Sequence, residues 1–170
     1  MKAVLENPMR EVRIEKILLS CGGIDKDLEK AKKLLELISG KKAQVIASQK
    51  RIPDFGVSPG LEVGVRITLR GEEAENLLRN LLAAIDNIVN KKQIAENHFS
   101  FGIKEYIEIP GIKYQREIGI RGLNITVVFV RPGLRVKRRK IKSGKIPKRQ
   151  VVTKDEIIKF MEEGFKTRFI

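Results

Sequence analysis

The sequence has no tryptophan, and aromatic residues make up only 5% of its 170 positions. A ladder of aromatic side chains stacking on successive bases is therefore excluded as the main binding device. Cysteine occurs once, as Cys21. No intrachain disulfide can form, no thiolate zinc site can be assembled, and a reducing compartment is expected. Histidine also occurs once, as His98, between Asn97 and Phe99 at what reads as a strand start; a structural role suits it better than acid–base work. The N-terminal stretch lacks the apolar core of a signal peptide, because Glu6, Arg10, Glu11 and Arg13 interrupt it. No apolar run approaches the length of a membrane span, so a soluble intracellular protein is expected. There is no Walker loop and no RNP1-type aromatic strand. Glu72, Glu73 and Glu75 fall where a helix should start, where carboxylates complement its dipole and need no catalytic explanation. No enzyme, cofactor or metal site is expected.

Positive charge is what the chain has in excess. The formal net charge is +14, which makes a polyanion the default partner, nucleic acid first and an anionic membrane second. Residues 131–149 hold Arg131, Arg135, Lys137, Arg138, Arg139, Lys140, Lys142, Lys145, Lys148 and Arg149, with no acidic residue among them. Self-repulsion argues against a merely solvated surface. Pro132, Gly133, Gly144 and Pro147 oppose regular structure. The run has no aromatic residue and no amphipathic period, so it makes a poor interfacial helix. We expect it to be extended or disordered alone and ordered on RNA, where it supplies phosphate contacts.

The chain is organised around residues 43–71. An apolar run, Val45-Ile46-Ala47, leads into the polar, basic Ser48-Gln49-Lys50-Arg51. Pro53-Asp54-Phe55-Gly56-Val57-Ser58-Pro59-Gly60 follows, rich in turn residues. Leu61, Val63, Val65, Ile67 and Leu69 then alternate with Glu62, Gly64, Arg66, Thr68 and Arg70, which predicts a half-buried strand. Its polar face offers Arg66, Thr68 and Arg70 as phosphate donors. Two strands joined by a long projecting loop are expected, with Phe55 near the tip. That ring either folds back onto the body or inserts into a partner as a stacking group.

Elsewhere, a strand is expected over 10–20, with a phase slip at Glu15-Lys16 that suggests a bulge. Asp25 reads as the N-cap of a helix reaching Ser39, with Gly40 after it. A second helix starts at Gly71 and carries an apolar stripe from Ala74 to Val89. Residues 97–109 read as a strand region with Phe99, Phe101 and Ile103 on one face, and Ile109-Pro110-Gly111-Ile112 as a turn. Residues 123–130 read as a central strand, apolar on both faces. Thr153 and Glu156 form a capping-box signature for a last helix that Gly164 ends, and Phe165, Phe169 and Ile170 form a tail that docks. Gly119-Ile120-Arg121-Gly122 matches the bare GxxG of KH domains, but it leads into a strand. The expected fold is α+β: a mostly antiparallel sheet, helices on one face, the other face open for RNA. One domain, 1–170, should include the basic extended segment 131–149. A KH-like RNA regulator is the alternative reading.

Several of these stretches together resemble the universal large-subunit ribosomal protein five family, over nearly the whole chain. They are Gly64-Val65-Arg66-Ile67-Thr68-Leu69-Arg70-Gly71 and the preceding Arg51-Ile52-Pro53-Asp54-Phe55-Gly56-Val57. Asn7-Pro8-Met9-Arg10, Asn97-His98-Phe99-Ser100-Phe101-Gly102 and Arg131-Pro132-Gly133-Leu134-Arg135-Val136 are similar to its archaeal and eukaryotic branch. The resemblance implies a structural, rRNA-binding protein of the central protuberance of the cytoplasmic ribosome's large subunit. It implies 5S rRNA on the open sheet face, large-subunit rRNA and ribosomal proteins as neighbours, and a loop directed at P-site tRNA. It also implies a contact to the small-subunit head. Ser20, Lys41, Phe55 and Thr68 match the family's 5S-binding positions. The bacterial branch has Asn and Gln at the first two, so Lys41 exchanges an amide for a point charge. With Gln49, Lys50, Arg51, Arg66, Arg70 and the basic residues from Arg135 to Arg149, these are the candidate RNA-binding residues.

Overall fold

A computed structural model describes residues 7–170; the first part of the expected lead-in, residues 1–6, lies outside the described residues. Pro8–Arg10 form a 3-10 turn closed by the Asn7 side chain, which accepts the Met9 N–H at 3.0 Å. That turn delays β1 (Arg13–Gly22), three residues later than the sequence suggested. Ile17, Leu19 and Cys21 of β1 are buried. The expected bulge is present. Ile14 faces Phe129 and Lys16 faces Val128, which leaves Glu15 as the extra residue.

Helix α1 (Lys26–Ser39) buries Leu28, Ala31, Leu34 and Leu35, and Gly40 ends it at φ 65°. Asp25 takes the N-cap position without capping, a correction to the sequence reading: its side chain accepts no helix N–H and its φ is 50°. The turn is forced by close packing. A Cβ on Gly23 would lie 2.9 Å from the Asp27 carbonyl carbon, so the chain reverses tightly into the helix.

Strands β2 (Gln44–Ala47) and β3 (Glu62–Leu69) pair antiparallel as expected. Helix α2 (Glu72–Ala83) stops well before the end of its apolar stripe. Asp86 and Asn87 adopt φ of 54° and 57°, conformations these short polar residues tolerate. Ile88 and Val89, read as helical from their spacing, instead form β4 (Ile88–Val89). After β5 (Ile94–Ala95), β6 (His98–Ile103) ends earlier than expected, giving way to a 3-10 turn over Tyr106–Glu108. Tyr106 is fully buried, and its hydroxyl accepts the Gln115 N–H at 2.9 Å. The turn at 109–112 closes through Ile112 N–H to Ile109 C=O at 3.2 Å.

Strand β7 (Leu123–Val130) is central by pairing, lying between β1 and β6. Its two faces differ, however. Leu123, Ile125, Val127 and Phe129 are buried, while Thr126, Val128 and Val130 are only half-buried. The short α3 (Arg135–Arg138) follows, then α4 (Lys154–Phe165). The Thr153 N–H donates to the Glu156 carboxylate at 3.0 Å, as the capping-box signature implied. Gly164 does not end α4. Lys166, at φ 54°, does. Finally β8 (Arg168–Phe169) pairs parallel with β4, docking half-buried Phe169; Ile170 stays exposed.

The main sheet has the order β2-β3-β1-β7-β6-β5, antiparallel at every step. Its odd-phase face packs on the helices. Ile67, Leu19, Val127 and Phe99 join Leu34, Leu78, Leu82, Ile157 and Met161 in one contiguous core. Phe99 stacks on Phe129 with ring centroids 5.8 Å apart, and Phe160 of α4 meets Phe129 edge-on at 5.7 Å. Each fully buried aliphatic side chain contributes about 1.5–3 kcal/mol. The three long helices are thereby committed to one face. Among the described residues no helix is long and apolar enough to cross a membrane.

Candidate nucleic-acid interface

Antiparallel register lines up the side chains of the other face in rows. Gln44, Arg66, Ser20, Asn124 and Gly102 are successive cross-strand partners in one row. Thr68, Leu18, Thr126 and Ser100 form the next. Lys16, Val128 and His98 form a third. Arg66 Nε donates to Gln44 Oε1 at 3.0 Å, which fixes the guanidinium across β2 and β3. The Ser100 and Thr126 hydroxyls share a hydrogen bond of 2.9 Å. Arg66, Thr68, Asn124 and Gly102 remain exposed, and Ser20 is half-buried. Hydroxyls, amides and one guanidinium on a helix-free surface suit phosphate and ribose oxygens.

The loop from Ser48 to Leu61 extends this surface. Ser48 and its partners continue the ladder, through Ser48 N–H to Leu61 C=O and Gly60 N–H to Ser48 C=O, both at 2.8 Å. Gln49, Lys50 and Arg51 are exposed. Ile52 and Val57 close the far end by exchanging two backbone hydrogen bonds, at 2.9 and 3.0 Å. Pro53–Phe55 form a 3-10 turn between them, and Gly56 completes it at φ 64°. Phe55 is 72% exposed, whereas Val57 is buried. The aromatic ring is displayed and does not fold back.

Lys41 is placed differently. Its ammonium pairs with Glu73 in the first turn of α2, on the helical side of the sheet. Of the four positions the resemblance singled out, only Ser20 and Thr68 therefore share the open face, in adjacent rows; Phe55 lies on the loop.

The basic segment arches over the lower end of the same face. The sequence reading allowed it no regular structure, yet Arg135–Arg138 make one helical turn. Gly144 N–H returns to Val136 C=O at 3.0 Å. Arg131 anchors one end, pairing with Glu156 and donating to the Arg149 carbonyl at 2.6 Å. A cavity of about 500 Å³ remains beneath, floored by Val128 and Val130 and roofed by Leu134, Lys137 and Ile146. Arg135, Lys137, Arg138, Arg139, Lys140, Lys142, Lys145, Lys148 and Arg149 are all exposed. Arg70 donates to Glu15 Oε1 at 3.3 Å, and Arg138 pairs with the same oxygen at 2.6 Å. The arch and the sheet face are thus joined into one basic surface.

Two other features explain themselves structurally. In the GxxG stretch, Arg121 is held by Asp27 at 2.6 Å, and a Cβ on Gly122 would lie 2.6 Å from the carbonyl oxygens of Ile103 and Lys104. It is a packed connection and not a free clamp. Burial pushes the Cys21 thiol pKa up, against the lowering influence of Arg121, so it stays protonated at neutral pH. Sequence reasoning missed Gln44, Ser100, Asn124 and Thr126. Their even phase was available as a signal, but β7 was read as apolar on both faces.

Comparison with known proteins places this surface in context. Residues 7–57 match the family model described as Ribosomal protein L5. Residues 62–160 match that described as ribosomal L5P family C-terminus. The chain belongs to the ribosomal L5 family. Among its relatives, the large ribosomal subunit protein uL5 of Nanoarchaeum equitans is 41% identical, covering 98% of this chain and 100% of that protein. Those of Sulfurisphaera tokodaii and Archaeoglobus fulgidus are 39% and 38% identical; they cover 96% and 95% of this chain, and 95% and 92% of their own lengths. Ribosomal L5 proteins are structural and not catalytic, in keeping with the absence of an expected enzyme site in the sequence reading. The basic segment lies inside the L5 C-terminal match.

Proposed function

We propose that this protein is a structural constituent of the large subunit of the cytoplasmic ribosome that binds 5S rRNA in the central protuberance. The open sheet face carries the reading. Its rows of Arg66, Ser20, Asn124, Thr68 and Thr126 are free of any long helix and run on into the basic arch. The face recognises a non-helical element of the RNA by shape and a few hydrogen bonds, because an A-form major groove is too deep and narrow to read. The arch adds phosphate contacts that carry no sequence information. The loop bearing Gln49, Lys50, Arg51 and Phe55 is directed at P-site tRNA, and the protein also contacts the small-subunit head. Large-subunit rRNA and neighbouring ribosomal proteins complete its surroundings.

The test is binding of the purified protein to folded 5S rRNA and to an unrelated RNA of equal length, over a salt series. Preference for 5S by about a hundredfold at moderate salt, on the order of 3 kcal/mol, is expected. Equal affinities that fade together with salt would leave only the arch binding and overturn 5S recognition.

A further inference from the structure

Strict alternation along β1 would turn Glu15 into the core beside Ile17. The bulge sends it instead to the open face, where it lines the cavity with Val128 and Val130. There its side chain is only 8% exposed, while the side chains of the two arginines it meets are 57% exposed for Arg70 and 49% for Arg138. A nearly buried carboxylate on a surface built for a polyanion needs a reason, since its charge opposes the ligand. Both arginines converge on the single oxygen Oε1, from chain positions far apart. Arg70 donates a hydrogen bond to Glu15 and Arg138 forms an ion pair with it, each through one terminal nitrogen, and neither side chain makes another hydrogen bond among the described residues. The rest of each planar fork is left for an external acceptor.

We propose that Glu15 is a positioning residue that sets Arg70 and Arg138 side by side as a clamp for one backbone phosphate of the bound RNA. The inference rests on the RNA-binding reading above. Glu15 holds the pair from beneath and cancels part of their mutual repulsion. The phosphate enters from the solvent side, where the forks are open. The clamp lies where the sheet face meets the arch, so it fixes the register between the selective and the non-selective parts of the surface.

The test turns on opposite signs. Glu15→Gln removes a negative charge from a polyanion-binding surface, so bare electrostatics predicts tighter binding. The clamp predicts roughly three- to tenfold weaker binding to 5S rRNA, with a salt slope reduced by at most about 1, the share of one phosphate contact. Arg138→Lys is the second variant: it keeps the positive charge facing Glu15, sits at an exposed position, and loses the fork. The clamp predicts weaker binding here too, whereas a simple staple between arch and sheet predicts none. Equal or tighter binding by both variants, with the unsubstituted protein binding normally, overturns the clamp alone. Failure of the unsubstituted protein to bind 5S rRNA overturns the underlying reading and the clamp with it.

Discussion

The Phe55 ring contributes nothing to the core, being 72% exposed at the head of a turn that Pro53 and Gly56 hold in shape. Its removal should therefore cost the free fold little. Phe55→Ala should leave the thermal midpoint unchanged, and weaken 5S rRNA binding by roughly 1–3 kcal/mol if the ring stacks on an unpaired base. Affinity within twofold of the unsubstituted protein in a titration would rule the stacking out. Glycines divide in the same way between inside and outside uses. A Cβ on Gly122 would meet two carbonyl oxygens at 2.6 Å, whereas on Gly64 its nearest neighbour is the Cys21 carbonyl oxygen at 3.5 Å. Gly122→Ala should cost about 1–3 kcal/mol by overpacking. Gly64→Ala should be neutral, or stabilising by up to about 1 kcal/mol, because a strand glycine loses more backbone entropy on folding. Urea denaturation of the two variants checks both.

At the scale of elements, α4 and the arch share one residue. Glu156 caps the helix by accepting the Thr153 N–H, and it also pairs with Arg131, whose side chain is only 11% exposed. Thr153→Ala should cost about 1 kcal/mol as the loss of a cap. Glu156→Ala should cost more, about 2 kcal/mol, because it strands a mostly buried guanidinium as well; partial exposure of the pair keeps the figure below that of a fully buried one. Equal denaturation midpoints for the two variants would mean that Arg131 finds another partner. The same region marks where sequence reading reaches its limit. Strands β3 and β6 were legible because alternation is a local property, β7 because it is rich in β-branched residues, and the bulge at Glu15 showed as a slip of phase. Helix α2 was overrun because Ile85, Ile88 and Val89 keep its spacing, while the break depends on the backbone of Asp86 and Asn87. Placement on the open face was legible where it follows strand phase, as at Arg66 and Thr68, whereas Ser20 entered through the family resemblance. Placement was illegible where it depends on chain-distant partners: Lys41 is claimed by Glu73, and Arg138 by Glu15.

For the molecule as a whole, the proposed function assigns charge and selectivity to different parts of one surface, and this separation is itself testable. Ten of the chain's basic residues lie in 131–149, against a net charge of +14, yet none of the open-face rows draws on them. Replacing Lys137, Lys140, Lys142, Lys145 and Lys148 together by Gln leaves the rows and the Arg131 anchor intact. If all five contact phosphate, the slope of log K against log salt should become shallower by about 3.5 to 4.5, at 0.7 to 0.9 for each contact. The loss should be nearly equal for 5S rRNA and for an unrelated RNA, so the ratio of the two affinities survives. Thr68→Ala should do the reverse, lowering the ratio with little change in slope, because a hydroxyl releases no counterion. Measuring both slopes and both ratios decides the matter. A ratio that collapses with the lysines would mean that the arch itself reads the RNA, through the cavity it encloses over Val128 and Val130, and that selectivity is not confined to the sheet.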